Sequence, residues 1–187
     1  EEKQQGNVAF TENILTSITT ALTALEFDFS SCLGIGVIVG PGSYTGSRIA
    51  VSTANTLSQI HTIPIFGFHG LDILAESLNP TKTVFISAIH SRKHEIAFCL
   101  YAGPGDTYRM TEDMMLSETA FHDFLKQFKQ PIHVIGPLSQ HTLTSIESLN
   151  HVKCAYKSIH QDIILAKTCL FSTSKKNQFP VKPLYLT

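Results

Sequence analysis

From Phe10 the large apolar residues recur as Phe10, Ile14, Ile18, Leu22 and Leu25, with Leu15 and Ala21 beside them. Intervals of four, four, four and three predict an amphipathic helix from Ala9 to Leu25 whose other side is Thr and Ser. Such a stripe serves either the chain's own sheet or a second protein. Residues 26–31 connect it to a continuous β-branched run, Leu33 to Val39, which reads as a buried strand. Gly40-Pro41-Gly42 closes that strand. Helical spacing then returns from Tyr44 to Ile60, where Ala50, Ser52, Thr53, Ala54 and Ser58 keep the surface slim enough for close approach. Pro64 to Phe68 is the next strand, so strand, helix and strand predict a βαβ unit with a parallel sheet. Leu71, Leu74, Ala75 and Leu78 give a short helix from His69, stopped by Asn79-Pro80.

The rhythm changes at Thr83. Two apolar runs, Val84–Ile86 and Ile96–Tyr101, flank the polar stretch His90–Glu95 and predict an antiparallel pair. Gly103-Pro104-Gly105-Asp106 is a turn, and Ser117 caps a helix reaching Phe128 through Phe121, Phe124 and Leu125. Ile132–Ile135 is a short strand closed by Gly136-Pro137, Val152–Tyr156 a weaker one, and His160–Phe171 a helix. Pro180 and Pro183 keep the tail extended. The layout predicts an α/β protein of two lobes, residues 1–82 and 83–187, with the final segment free to return to the first lobe.

Composition narrows the function classes. At 187 residues, 43% hydrophobic and 16% charged, the chain is an ordinary globular protein somewhat poor in charge, a surface that often has a partner. A net charge of −1 argues against a standing grip on nucleic acid. Cys32, Cys99, Cys154 and Cys169 form no C-x-x-C pair and read as buried reduced thiols, which fits the cytoplasm. No run approaches the ~18 apolar residues of a membrane span, and no signal peptide is visible.

Chemistry concentrates at the corner Gly40, Pro41, Gly42, Ser43, Tyr44, Thr45, Gly46, Ser47, Arg48. Gly40 and Gly42 can take positive φ or admit another backbone, and Pro41 stiffens the turn. Ser43 or Thr45 can cap the next helix, whose free amides suit an anion or a partner's carboxylate. The string is neither a Walker A loop nor G-x-G-x-x-G. Arg48 can serve phosphate or a carboxylate, or be a plain surface cation. His90 and His94 have H-x-x-x-H spacing, but on strands they stand ~13 Å apart unless a sharp turn intervenes. Asp72 with Glu76 reads as the wet face of a helix, and Glu112-Asp113 as a surface acidic pair. No nucleophile elbow surrounds Ser43. The residues describe a scaffold or accessory protein more than an independent enzyme.

The string Gly40–Arg48 resembles the G-P-G-S-[FY]-T-G-x-R signature of the bacterial TsaB (YeaZ) family. Phe10–Leu15, Ile65–Leu71, Ala88–Ile96 and Pro183–Leu186 are similar to further family motifs in the same order. Residues 103–178 match only in outline. The resemblance implies an actin-like (ASKHA, ribonuclease H-like) fold with mixed sheets flanked by helices. It implies no activity in this chain alone, which would instead dimerise with and activate a TsaD-like transferase. A TsaE-like ATPase joins them, and the complex places threonylcarbamoyl on a tRNA adenosine. The implied partner surface is the first two helices: Phe10, Ile14, Ile18, Leu22, Tyr44, Arg48, Val51 and Ser52. This chain would bind no cofactor by itself; ATP or ADP and metal belong to the partner complex, and tRNA is reached only through it. A homodimer in isolation stays open. The chain departs from the pattern at Phe10, His90, His94 and Thr187, and no residue before Glu1 supplies the family's opening strand pair. Two other readings stand beside this one: an independent ASKHA-type ATPase or phosphotransferase with its nucleotide at Gly40–Gly46, and a metal-dependent peptidase resting on His90 and His94.

Overall fold

The computed structural model describes residues 13–76, 84–92, 94–103, 108–155 and 179–186. The predicted helix at His160–Phe171, the turn at Pro104–Asp106 and Phe10 lie outside them, as does Cys169. Helix α1 spans Ile14–Ala24 and leads through a 3-10 turn at Phe29–Ser31 to strand β1, Ile35–Gly40. Leu33 precedes the strand and is 85% exposed, so the buried run starts later than its apolar pattern implies. Helix α2 (Tyr44–His61) follows, then β2 (Ile65–His69) and the short α3 (Gly70–Glu76).

β1 and β2 pair in parallel with α2 as the crossover, which is the expected βαβ unit. Their register skips Val39, and Val39 gives its carbonyl instead to the Leu184 amide of the tail at 2.8 Å. Val37, Val51, Ala54, Ile65 and Val181 form the small core beneath α2.

The second sheet runs in the order β5-β4-β3-β7-β8, with β6 also on β4. Its strands are β3 (Val84–His90), β4 (Glu95–Ala102), β5 (Tyr108–Arg109), β6 (Met114–Ser117), β7 (Ile132–Ile135) and β8 (Val152–Ala155). β3 and β4 are antiparallel from Val84↔Ala102 to His90↔Ile96. His90 and Glu95 thus belong to the strands and not to the polar stretch between them. β7 joins β3 in parallel, and β8 joins β7 likewise. Helices α4 (Glu118–Leu125) and α5 (Gln140–Glu147) cover the sheet. Ile86, Phe98, Phe121, Leu125 and Ile146 are fully buried between them.

Ser117 Oγ caps α4 by accepting from the Ala120 amide, as its position predicts. Helix α5 and strands β5 and β6 have no counterpart in the sequence reading. In α5 the inward positions are Thr142 and Ile146, so one of the two is polar and the apolar period is broken. Of the cysteines, Cys99 is buried, whereas Cys32 and Cys154 are partly exposed; all three are free thiols.

Candidate functional site

Helix α1, with the sequence ILTSITTALTA, carries no charged residue and buries none of its positions. Ile14, Ile18 and Leu22 are half-buried, while Leu15 is 51% and Leu25 66% exposed. Two of its threonines bond back to their own helix: Thr19 Oγ1 donates to the Leu15 carbonyl and Thr23 Oγ1 to that of Thr19. Among the described residues, the stripe is therefore not fully buried by the rest of the chain.

At the corner, Ser43 and not Thr45 is the cap: its Oγ accepts from the Gly46 amide at 3.2 Å. The glycines also divide. Gly40 has φ 131°, and a Cβ there would lie 2.5 Å from the Leu184 carbonyl oxygen, so both backbone freedom and close approach require glycine. Gly42 has neither a positive φ nor any atom within 3.9 Å of such a Cβ, which corrects the expectation for it. Within α2, Arg48 Nη1 donates to the Tyr44 hydroxyl at 3.0 Å, and its guanidinium sits 5.4 Å from that ring's centroid. Tyr44, Arg48 and Ser52 are exposed. Val51 is not. At 2% exposure it packs into the core against β1 and β2, one residue away from the outward face, so it cannot meet a partner.

A second constellation escaped the sequence reading. Arg109 Nε donates to Asp72 Oδ1 and Nη1 to Asp113 Oδ1, both at 2.7 Å. Its Nη2 lies 2.9 Å from His69 Nδ1, and His69 Nε2 lies 2.7 Å from Asp113 Oδ2. The tautomer with hydrogen on Nε2 satisfies both contacts. Tyr101 completes the group, its hydroxyl donating to Asp72 Oδ1 at 2.7 Å. Burial first, then Asp72 beside it, pushes the Tyr101 phenol well above its usual range. Burial also pushes the Asp113 carboxyl up, but bonds from His69 and Arg109 and their charges outweigh this and hold it below the usual carboxylate range. Asp72 is therefore no mere wet face, and Asp113, with its side chain 10% exposed, is no surface residue. These partners stand four, 37 and 40 residues from Arg109, and only the first spacing is visible locally.

The two histidines do not converge on a metal. His90 Nε2 accepts from the Ser139 amide at 3.0 Å, bracing the start of α5. His94 is largely exposed beside Glu118, 3.8 Å away. Among the described residues no group of three or more His, Cys, Asp or Glu side chains is arranged to hold a metal. No helix of the described residues is long and apolar enough to cross a membrane.

Comparison with solved structures places this architecture in a known class. A Pseudomonas aeruginosa protein described as similar to peptidase YEAZ superposes with a TM-score of 0.67 at 16% identity, covering 94% of this chain and 83% of that one. YeaZ from Pseudomonas aeruginosa gives 0.64 at 15% identity, covering 94% and 84%. The fold is the actin-like, ASKHA-type α/β arrangement of those proteins. In sequence, residues 6–145 match the family model of TsaD, tRNA N6-adenosine threonylcarbamoyltransferase. The tRNA threonylcarbamoyladenosine biosynthesis protein TsaB of Buchnera aphidicola is 26% identical over 151 residues, 78% of this chain and 67% of that protein. The chain belongs to the TsaD family, among its TsaB (YeaZ) members.

Proposed function

We propose that this chain acts in the formation of threonylcarbamoyladenosine in tRNA as a non-catalytic subunit that pairs with and activates a TsaD-like transferase. The single observation that carries the pairing is α1, a helix with no charge, no buried residue and Leu15 half exposed. An 11-residue helix is marginal in water by itself, and depletion of charge marks the centre of protein interfaces. Ile14, Ile18 and Leu22 supply the apolar part of the contact. Tyr44, Arg48 and Ser52, on the outward side of α2, supply its polar rim.

The pathway role rests on the family and on the Buchnera relative named for that biosynthesis. On this reading the chain holds no nucleotide or metal alone. ATP or ADP and metal belong with the transferase and a TsaE-like ATPase, and tRNA is reached through the assembly.

Co-purification with the TsaD-like protein of the same organism tests the proposal. A stable complex is expected, and a deletion strain should lack the modified adenosine. No complex, together with normal tRNA modification in that strain, would end it. Tight ATP binding by the isolated chain would favour an independent ATPase instead.

A further inference from the structure

We propose that Val181–Leu186 is a strap that sets the position of α2 and, with it, the partner-facing residues Tyr44, Arg48 and Ser52; the effect on binding rests on the proposed pairing, the effect on α2 does not. Asn55 holds the strap as a neighbouring strand would. Its Nδ2 donates to the Val181 carbonyl and its Oδ1 accepts from the Val181 amide, both at 2.9 Å. The Val181 side chain, 8% exposed, then enters the core beneath α2 beside Val51 and Ala54. Three residues on, the Leu184 amide donates to the Val39 carbonyl at 2.8 Å. Gly40 is what lets the strap pass there, since any Cβ would strike the Leu184 carbonyl. The Tyr185 ring lies 4.9 Å from that of Tyr44, the first residue of α2. Arg92, from the turn of the second sheet, donates to the Leu186 carbonyl at 3.4 Å.

The strap therefore touches the middle of α2, its first turn, the end of β1 and the other lobe. Among the described residues, the sheet beneath α2 pairs β1 with β2, and Val51, Ala54, Leu57 and Ser58 are the helix positions that are buried. A small core gains from each apolar side chain added to it, and Val181 provides one. A helix relieved of that contact is free to slide on β1 and β2, which moves its outward residues without altering any of them.

Hydrogen exchange of the full chain, read beside affinity for the TsaD-like protein, tests this with Asn55→Ala. Faster exchange at Val181, Leu184 and the first turns of α2, with β3 and β4 still protected and partner affinity at least ten-fold weaker, is the expected result. A strap that stays protected in this variant overturns the proposal. So does a freed strap with α2 exchange and affinity unchanged. If the wild-type chain binds no TsaD-like protein, the pairing fails, while the exchange of α2 still decides the strap. Should Asn55→Ala lose protection in β3 and β4 as well, Tyr185→Ala, at a residue 41% exposed, replaces it. The same loosening of the Leu184 amide and α2 supports the strap, and unaltered exchange overturns it.

Discussion

Arg109 and Asp72 meet across 37 residues of chain, Nε to Oδ1 at 2.7 Å. That contact fastens α3, which follows the first sheet, to the edge strand of the second. Arg109 is also the residue on which Asp113 and His69 converge.

Replacing Arg109 therefore strips three acceptors at once. Arg109→Ala is expected to lower unfolding free energy by about 2–3 kcal/mol, because Asp113 is left nearly buried with His69 as its remaining partner. Arg109→Lys should recover little of this, since a point charge cannot reproduce a planar fork that serves two carboxylates. Urea unfolding of both variants is the check; full recovery by lysine would show that charge alone matters.

The same carboxylate makes stability depend on acid. With its folded pKa depressed, Asp113 contributes stability that is fully present above the unfolded value of ~3.9 and is lost as pH falls through the folded value. The gap in urea midpoint between the wild type and Asp113→Asn should be widest near neutral pH and shrink below about pH 4. A gap that stays constant from pH 7 to pH 3 would place the contribution elsewhere.

Much of the architecture is legible along the chain, and the reason is local. Helix α2 reads directly from its cap at Ser43 and its spacing to Ile60, one residue short of its end at His61. β7 reads at its full extent, between Pro131 and Gly136. What stays hidden is set at long range. Asp72 looks solvated because its partner is 37 residues away, and Asp113 looks exposed because His69 lies 44 residues back. Val51 shares α2 with Tyr44 and Arg48, but which side of a slim helix faces its sheet depends on the small core that Val181 completes. α5 is missed because Thr142 takes an inward position that an apolar period would have marked.

Glycines separate into those the backbone needs and those it does not. Gly136 has φ 141°, and a Cβ there would lie 1.8 Å from the Ala88 carbonyl oxygen in the centre of β3. Gly136→Ala is expected to cost more than about 4 kcal/mol and yield little folded protein. Gly42→Ala meets nothing closer than 3.9 Å and is expected to be neutral or to stabilise by up to about 1 kcal/mol, since it reduces the freedom of the unfolded chain. Thermal melts of the pair test the contrast, although both glycines flank turns.

Whether α1 is a contact surface can be separated from whether it supports the fold. Leu15 is half exposed and Ile18 half-buried on a helix that buries nothing, so Leu15→Glu and Ile18→Glu should each change unfolding free energy by less than about 1 kcal/mol. A charge introduced into the centre of an interface cannot be rehydrated there, and truncation or charging of such anchors costs about 2 kcal/mol or more. Affinity for the TsaD-like protein is therefore expected to fall at least ten-fold in both variants, a change of about 1.4 kcal/mol or more. Calorimetric titration beside a melting curve reads both quantities on one preparation. Affinity preserved in variants that melt normally would show that the uncharged stripe faces something other than this partner.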